Sequence, residues 1–261
     1  MGVASTAAKG TRIEGSRNEV WLCQAYANGD HGVMLYVKPG LPLRALLVEA
    51  LAAQVGQCMG IPCPTPYIVT ANPIHIGRAH GPKLLAFGSE QVGNRALTRS
   101  VLDTEVMLEL LDKQRLTEQI CCFDELIANS VRSPRDILFD PEHGAVIVDH
   151  EDAMQASVKA DDAVTNWLAD RVLERTPADQ RAQLLKKLRA RSEAVHRMQL
   201  DVVPATVQFD QQGVPAYSEL LEFLRQRLTH LDQLLSSRVL PAQGYLIAPN
   251  EDHAAGGTTD V

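Results

Sequence analysis

Two pairs of side chains in this chain have the types and placement to do chemistry, and the first is Asp136 with Asp149. They bracket two short apolar runs, Ile137-Leu138-Phe139 and Val146-Ile147-Val148, separated by Pro141-Glu142-His143-Gly144. Runs of that kind around a turn-forming tetrapeptide predict a β-hairpin. At the rim of a tight hairpin the two aspartates are neighbours, and adjacent oxygen ligands are what a hard divalent cation needs. Singly, each acid would read as a turn former or a helix cap; the pairing points to a metal. The second pair is Lys38 and Glu49. Lys38 closes the apolar run Val33-Met34-Leu35-Tyr36-Val37, and Glu49 falls in a helix predicted over residues 43–59. The core stripe of that helix is Leu47, Leu51, Val55 and Cys58 or Met59. Glu49 lies off the stripe, yet the residues three and four away are Ala45, Leu46, Ala52 and Ala53, which suggests close packing. Burying an unpaired carboxylate is costly, so Glu49 needs a cation. Lys38 is the natural candidate, although a strand-end lysine can also simply reach solvent.

The elements that must hold these residues follow from apolar periodicity. Leu116, Ile120, Phe123 and Ile127 recur at helical spacing over 116–128, and the pattern stops at Asn129, before Ser133-Pro134. The hairpin acids are thus entered from a helix through a loop, a layout suited to phosphoryl transfer. Upstream, Gly15-Ser16-Arg17 makes a bend, and residues 20–26 and 33–38 read as strands around the turn Ala27-Asn28-Gly29-Asp30-His31-Gly32. Ile61-Pro62-Cys63-Pro64-Thr65-Pro66 forces an extended linker, and further strands come at 67–70 and 83–88. Near 89–97 the apolar spacing lengthens to the helical one. Helices are predicted over 101–113 and 161–175, from Pro177 onward, and along a last stripe through Tyr217, Leu221, Leu224, Leu228, Leu231 and Leu235. The expected organisation is a disordered N-terminus at 1–10, an antiparallel sheet with one helix at 11–95, a helical part carrying the hairpin at 96–247, and a disordered tail at 248–261. The fold class is α+β.

Composition narrows the function classes. The chain of 261 residues suffices for one large domain or two lobes. Its net charge of −7 argues against a broad basic face, so no nucleic-acid partner is expected. The basic run Lys186-Lys187-Leu188-Arg189-Ala190-Arg191 reads as a solvated helix face. No apolar run approaches the roughly 20 residues of a membrane span, and the start lacks the apolar segment of a secretion signal. Cys23, Cys58, Cys63, Cys121 and Cys122 fit no zinc spacing and read as reduced, mostly buried thiols of a cytoplasmic protein.

In order along the chain stand a bend with Gly15-Ser16-Arg17, a strand ending in Lys38 and a helix with Glu49. After them come "GIPCPTPYIV", "FGSE", "FDELIAN" leading to "ILFD", and "VIVDHEDA". In this order the chain resembles the HipA-like kinase family, a branch of the protein-kinase and lipid-kinase superfamily, over roughly residues 10–155. The resemblance implies a two-lobed kinase-like fold that binds ATP and Mg²⁺ in an inter-lobe cleft. It implies that Gly15, Ser16 and Arg17 form a phosphate-proximal loop, that Lys38 contacts nucleotide phosphates, and that Glu49 is the helix partner of Lys38. It implies further that Phe87 and Gly88, with Ser89, fall near the adenine, that Asp149 holds metal, and that Asp136 takes the place of a second metal ligand, normally Asn.

One position departs from the family pattern. Where the family reads N-x-D-R, with the Asp acting as base or orienting the acceptor hydroxyl, this chain reads Asn129-Ser130-Val131-Arg132. Val131 cannot accept a proton, and loss of such a group costs about 10²–10⁴ in rate. Asp124 is expected to point elsewhere, Ser130 is a weak substitute, and no catalytic residue is assigned. The sequence leaves three readings open. One is an ATP-dependent kinase with impaired or atypical transfer, since family members include serine/threonine protein kinases, some acting as toxins in bacterial toxin–antitoxin pairs. The second is a pseudokinase that scaffolds a nucleotide or a protein partner, and the third is an α/β binding module without phosphate chemistry.

Overall fold

Small residues alternating with larger ones build the first third of the chain into a barrel. The computed structural model describes residues 1–29, 31–92, 103–140, 144–197 and 213–240. Its strands β1 (Gly2–Thr6), β2 (Thr11–Ile13), β3 (Val20–Ala27), β4 (His31–Pro39), β5 (Pro66–Ala71) and β6 (Leu84–Glu90) form one sheet in the order β1-β5-β6-β4-β3-β2. Strand β1 also pairs with β3, at Ala4↔Ala27 and Thr6↔Ala25, so five of the strands close on themselves and β2 extends from β3. A barrel of so few strands has a narrow interior, which side chains must fill without crowding. The enclosed cluster is accordingly rich in small residues, with Ala4, Cys23, Ala25, Ala27, Ala71 and Ala86 between Leu35, Val37 and Val69.

The sheet corrects two expectations. Residues 1–10 do not form a disordered N-terminus: Gly2–Thr6 is a strand, with Ala4 and Thr6 buried. Its small, polar composition is what a tight interior admits, and its ladder closes an edge that would otherwise stand open. Nor is the sheet wholly antiparallel, because β1 runs parallel to β5 from Gly2↔Tyr67 to Ser5↔Thr70.

Helix α1 (Leu43–Cys58) lies between the barrel and the helical part, with every residue from 46 to 56 buried. Ile68 and Phe87 on the outside of the barrel pack with its Leu47 and Leu51 in the same core as the helices Thr117–Leu126 and Gly213–Val239. A helix this apolar belongs in such a position, and Glu49 and Gln54 are buried there with it. The helical part comprises α2 (Thr104–Lys113), α3 (Thr117–Leu126), α4 (Trp167–Arg175), α5 (Arg181–His196) and α6 (Gly213–Val239). Between α3 and α4 the expected hairpin is present, β7 (Ile137–Asp140) against β8 (Gly144–Ile147), in antiparallel register.

The helix expected over 161–175 starts only at Trp167. Asn166 caps it by accepting the Ala169 N–H at 3.1 Å, and the carbonyls of Ala160 and Asp162 accept from the buried Arg227 instead of a helix. The turn at 141–143, most of the proposed lobe boundary at 89–97 and the tail at 248–261 lie outside the described residues. All five cysteines are free.

Gly88 faces the barrel interior. A Cβ there would stand 2.5 Å from Val69 Cγ2 and 3.4 Å from Leu35 Cδ1. Gly88→Ala is therefore expected to lower stability by about 1–3 kcal/mol. Gly32→Ala, where nothing lies within 4 Å, should change it by less than about 0.5 kcal/mol. Urea melts of the two variants beside the parent check this.

Candidate functional site

Alternation along β4 places Lys38. Leu35 and Val37 point into the barrel, so Lys38 comes out on the face toward α1, where it is only 8% exposed. Its ammonium donates to Glu49 Oε1, to Asp149 Oδ1 at 2.7 Å and to Glu151 Oε2 at 2.8 Å. Glu49 is 1% exposed, and its other oxygen accepts the His150 N–H at 2.7 Å. Burial disfavours the Lys38 cation, but the charges of Glu49, Asp149 and Glu151 outweigh it, and the pKa rises above its ordinary value. For Glu49, burial is the leading cause and lifts the carboxyl to about 7, against the pull of Lys38. The expected lysine–glutamate pair is formed.

The two aspartates are set by local hydrogen bonds. Asp136 ends a short turn, Pro134–Asp136, and its Oδ2 accepts from Ser133 N–H and Oγ–H, both at 2.9 Å. Beyond the hairpin ladder, Val148 N–H donates to the Asp136 carbonyl at 3.0 Å, which carries the pairing out to the rim. Asp149 follows with φ +60°, a left-handed conformation that costs a non-glycine residue about 1–2 kcal/mol. Neighbouring residues hold it there. The fully buried Arg132 binds Asp124 through Nε and Nη2 and donates from Nη1 to the Val148 carbonyl at 2.7 Å. Its Nη2 also lies 3.1 Å from His150 Nδ1, so that ring nitrogen accepts and the imidazole is neutral. Burial, then the Arg132 charge, keep the His150 pKa well below its usual value.

Two adjoining cavities meet at Lys38. One, about 230 Å³, is mostly apolar, walled by Ile13, Val20, Tyr36, Leu138 and Val148 with Ser89. The other, about 220 Å³, is charged, walled by Arg17, Arg135, Asp136, Glu151 and Asp152 with Gly15 and Asn18. Ser16, Val20, Lys38 and Asp149 belong to both. A larger groove of about 840 Å³, with Arg115, Arg175 and Lys187 on its walls, lies in the helical part and shares no residue with them.

Of the residues singled out from sequence, Gly15, Ser16, Arg17, Lys38, Asp136 and Asp149 come together around the charged cavity. Glu49 lies behind Lys38 without lining it. Phe87 is also behind, with its ring centroid 6.0 Å from Lys38 Nζ, and Gly88 faces the barrel interior. Neither borders the cavities, because β6 presents Ser89 there instead. Val131 does line the charged cavity, 46% exposed, while Asp124 is turned to Arg132. Sequence reasoning missed Tyr36, Glu151 and the role of Arg132. The position of Tyr36 two residues before Lys38, on the same strand face, was a signal available for the first.

Among the described residues no group of three or more His, Cys, Asp or Glu is arranged to hold a metal. Two carboxylates in one polar cavity do fit Mg²⁺, which takes one or two protein carboxylates and completes its shell with water and phosphate. Burial raises the Asp136 pKa, and the Asp149 charge adds to this against the pull of Arg132. A cation between them would relieve that repulsion.

A sequence model described as HipA-like kinase matches residues 10–233. None of the curated proteins compared matches the chain. Among solved structures, the Helicobacter pylori proinflammatory kinase CtkA superposes with a TM-score of 0.51 at 11% identity, covering 91% of this chain and 98% of that one. HipA of Shewanella oneidensis MR-1, from a toxin–antitoxin system complex with HipB and operator DNA, gives a TM-score of 0.42 at 12% identity. That match covers 90% of this chain and 66% of the HipA chain. The architecture is that of a kinase-like fold.

Asp136 holds its proton more tightly in the fold than in the unfolded chain. It therefore weakens the fold as pH climbs from about 4, the free aspartate value, through its folded value. Asp136→Asn keeps an acceptor for Ser133 and removes that loss. Its melting temperature is expected to exceed the parent's by about 1–3 °C at pH 7, the gap closing below about pH 4. Mg²⁺ should raise the parent's melting temperature and not the variant's. A variant that melts lower at pH 7 would show that Arg132 and Ser133 outweigh the burial of the charge.

Proposed function

Because this chain belongs to the HipA-like kinase family, we propose that it binds ATP with Mg²⁺ across the two joined cavities and transfers phosphate slowly or atypically to a protein serine or threonine. The observation that carries this is the meeting of Lys38 and Asp149, with Glu49 behind them, where an apolar cavity adjoins a charged one. The apolar walls of Val20, Tyr36, Leu138 and Val148 suit a flat heteroaromatic ring. Lys38 and the backbone N–H groups of residues 15–17 suit a polyphosphate. Asp136 and Asp149 would hold Mg²⁺, which neutralises phosphate charge and fixes phosphate oxygens. Lys38 steers the chain of phosphates, and Glu49 keeps the ammonium aimed at them. Much of such catalysis is positioning and electrostatics, so these groups support transfer without a base.

A second reading, a pseudokinase that scaffolds a partner, is favoured by Val131. It stands exposed in the charged cavity, where a carboxylate would orient an acceptor hydroxyl. Titration calorimetry with ATP, followed by transfer of a labelled γ-phosphate to the chain or to added protein, tests both. The expected results are binding that requires Mg²⁺ and is lost in Asp149→Asn, and transfer that Val131→Asp accelerates by about 10²-fold or more. No ATP binding would overturn the nucleotide site. Binding with no transfer by either the parent or Val131→Asp would establish the scaffold reading.

A further inference from the structure

The proposed nucleotide site, on which this inference rests, already contains an anion on its lysine. An ammonium carries three N–H bonds, and in Lys38 each goes to a different carboxylate, Glu49, Asp149 and Glu151. A phosphate oxygen can become a full hydrogen-bond partner of this group only where one of the three gives way.

The three differ in what their departure would cost. Glu49 is buried and also accepts the His150 N–H, so its withdrawal would strand two buried donors. Asp149 has its backbone fixed on both flanks, the Val148 carbonyl by Arg132 and the His150 N–H by Glu49, and its carboxylate, 26% exposed, is one that the proposed Mg²⁺ would hold in place. Glu151 rises from a turn at the cavity wall, its side chain 11% exposed. Besides Lys38, its hydrogen-bond partner among the described residues is the neutral amide of Asn18, and the exposed Arg17 guanidinium attracts it from farther off. Moving Glu151 outward returns one carboxylate and one amide to water and leaves no buried charge alone. The neighbouring Asp152 forms a parallel contact with Arg17 at 2.8 Å. Both contacts tie the loop beside the charged cavity to residues 151–152.

We propose that Glu151 competes with nucleotide phosphate for Lys38 and thereby sets the affinity and the charge selectivity of the site. A ligand must bring enough negative charge to displace the carboxylate, and displacement also releases Asn18 and the loop it anchors. Adenosine, with no phosphate, occupies the apolar cavity and leaves the Glu151–Lys38 contact in place.

The test is calorimetry of parent, Glu151→Gln and Asn18→Ala with Mg-ATP and with adenosine. Thermal melts would first establish that each variant folds. Gln keeps the size of the side chain and an oxygen for Asn18, and removes the charge. Glu151→Gln is expected to tighten Mg-ATP binding about tenfold while adenosine binding stays at the parent value. Asn18→Ala, which removes the tether and keeps the charge, should shift ATP in the same direction by less. Weaker ATP binding in Glu151→Gln, or an equal change for ATP and adenosine, would overturn the competition. ATP binding by the parent with no change in Glu151→Gln would sink this inference alone. No ATP binding by either protein would remove the nucleotide site itself and the competition with it.

Discussion

The buried carboxylate of Glu49 is the interaction on which the rest of the site depends. Helix α1 has no solvent face along residues 46–56, so an acid in its middle cannot be hydrated. An unpaired charge there would cost several kcal/mol, and the fold answers with two partners from distant parts of the chain. Lys38 comes from the barrel, and the His150 N–H comes from the segment after the hairpin. One side chain therefore joins the sheet, the helix and the loop of aspartates, and sets their relative placement as a by-product of satisfying itself. Glu49 also explains why Lys38 remains a cation under burial that would otherwise neutralise it.

Arg132 plays the matching part from the other side. It is fully buried, paired with Asp124 and aimed at the Val148 carbonyl and the His150 ring. Asp149 thus sits between Val148, whose carbonyl is bound by Arg132, and His150, whose N–H and Nδ1 are bound by Glu49 and Arg132. That is why a left-handed aspartate can persist: its strain is small beside the cost of leaving those buried groups unsatisfied. The segment continues through a second left-handed residue, Met154, whose N–H reaches the Ile127 carbonyl at the end of α3. Helix α3 and the aspartate loop are in this way bound at both ends.

Much of this could be read from residue order. The alanines around Glu49 announced a buried acid, the end of the apolar run placed Lys38, and the turn between two short runs put Asp136 and Asp149 side by side. Those signals are local, each contained in one element and its neighbour. Barrel closure is not local. Nothing in Gly2-Val3-Ala4-Ser5-Thr6 says which distant edge it meets, and its small residues mimic an unstructured segment until the narrow interior is known. Phe87 and Gly88 were misplaced for a related reason. Gly88 turns into the barrel, while Phe87 shares the outer face with Ser89 but packs against α1, and only the register with β4 and β5 shows that Ser89 is the one at the cleft. The roles of Arg132 and Glu151 could not be read because their partners lie on other elements. The start of α4 was obscured because Arg227, far along the chain, claims the carbonyls a longer helix would have used.

The enclosure of α1 restricts how such a protein can be controlled. In many two-lobed phosphotransferases the helix bearing the glutamate swings outward and breaks the ion pair, a manoeuvre open to a helix with one wet side. Here the helix is wedged on all sides, and rotating it would tear open a core continuous from the sheet to α6. Side chains trading places on the ammonium at the mouth of the crevice would tune the Lys38–Glu49 couple with the scaffold behind them standing still.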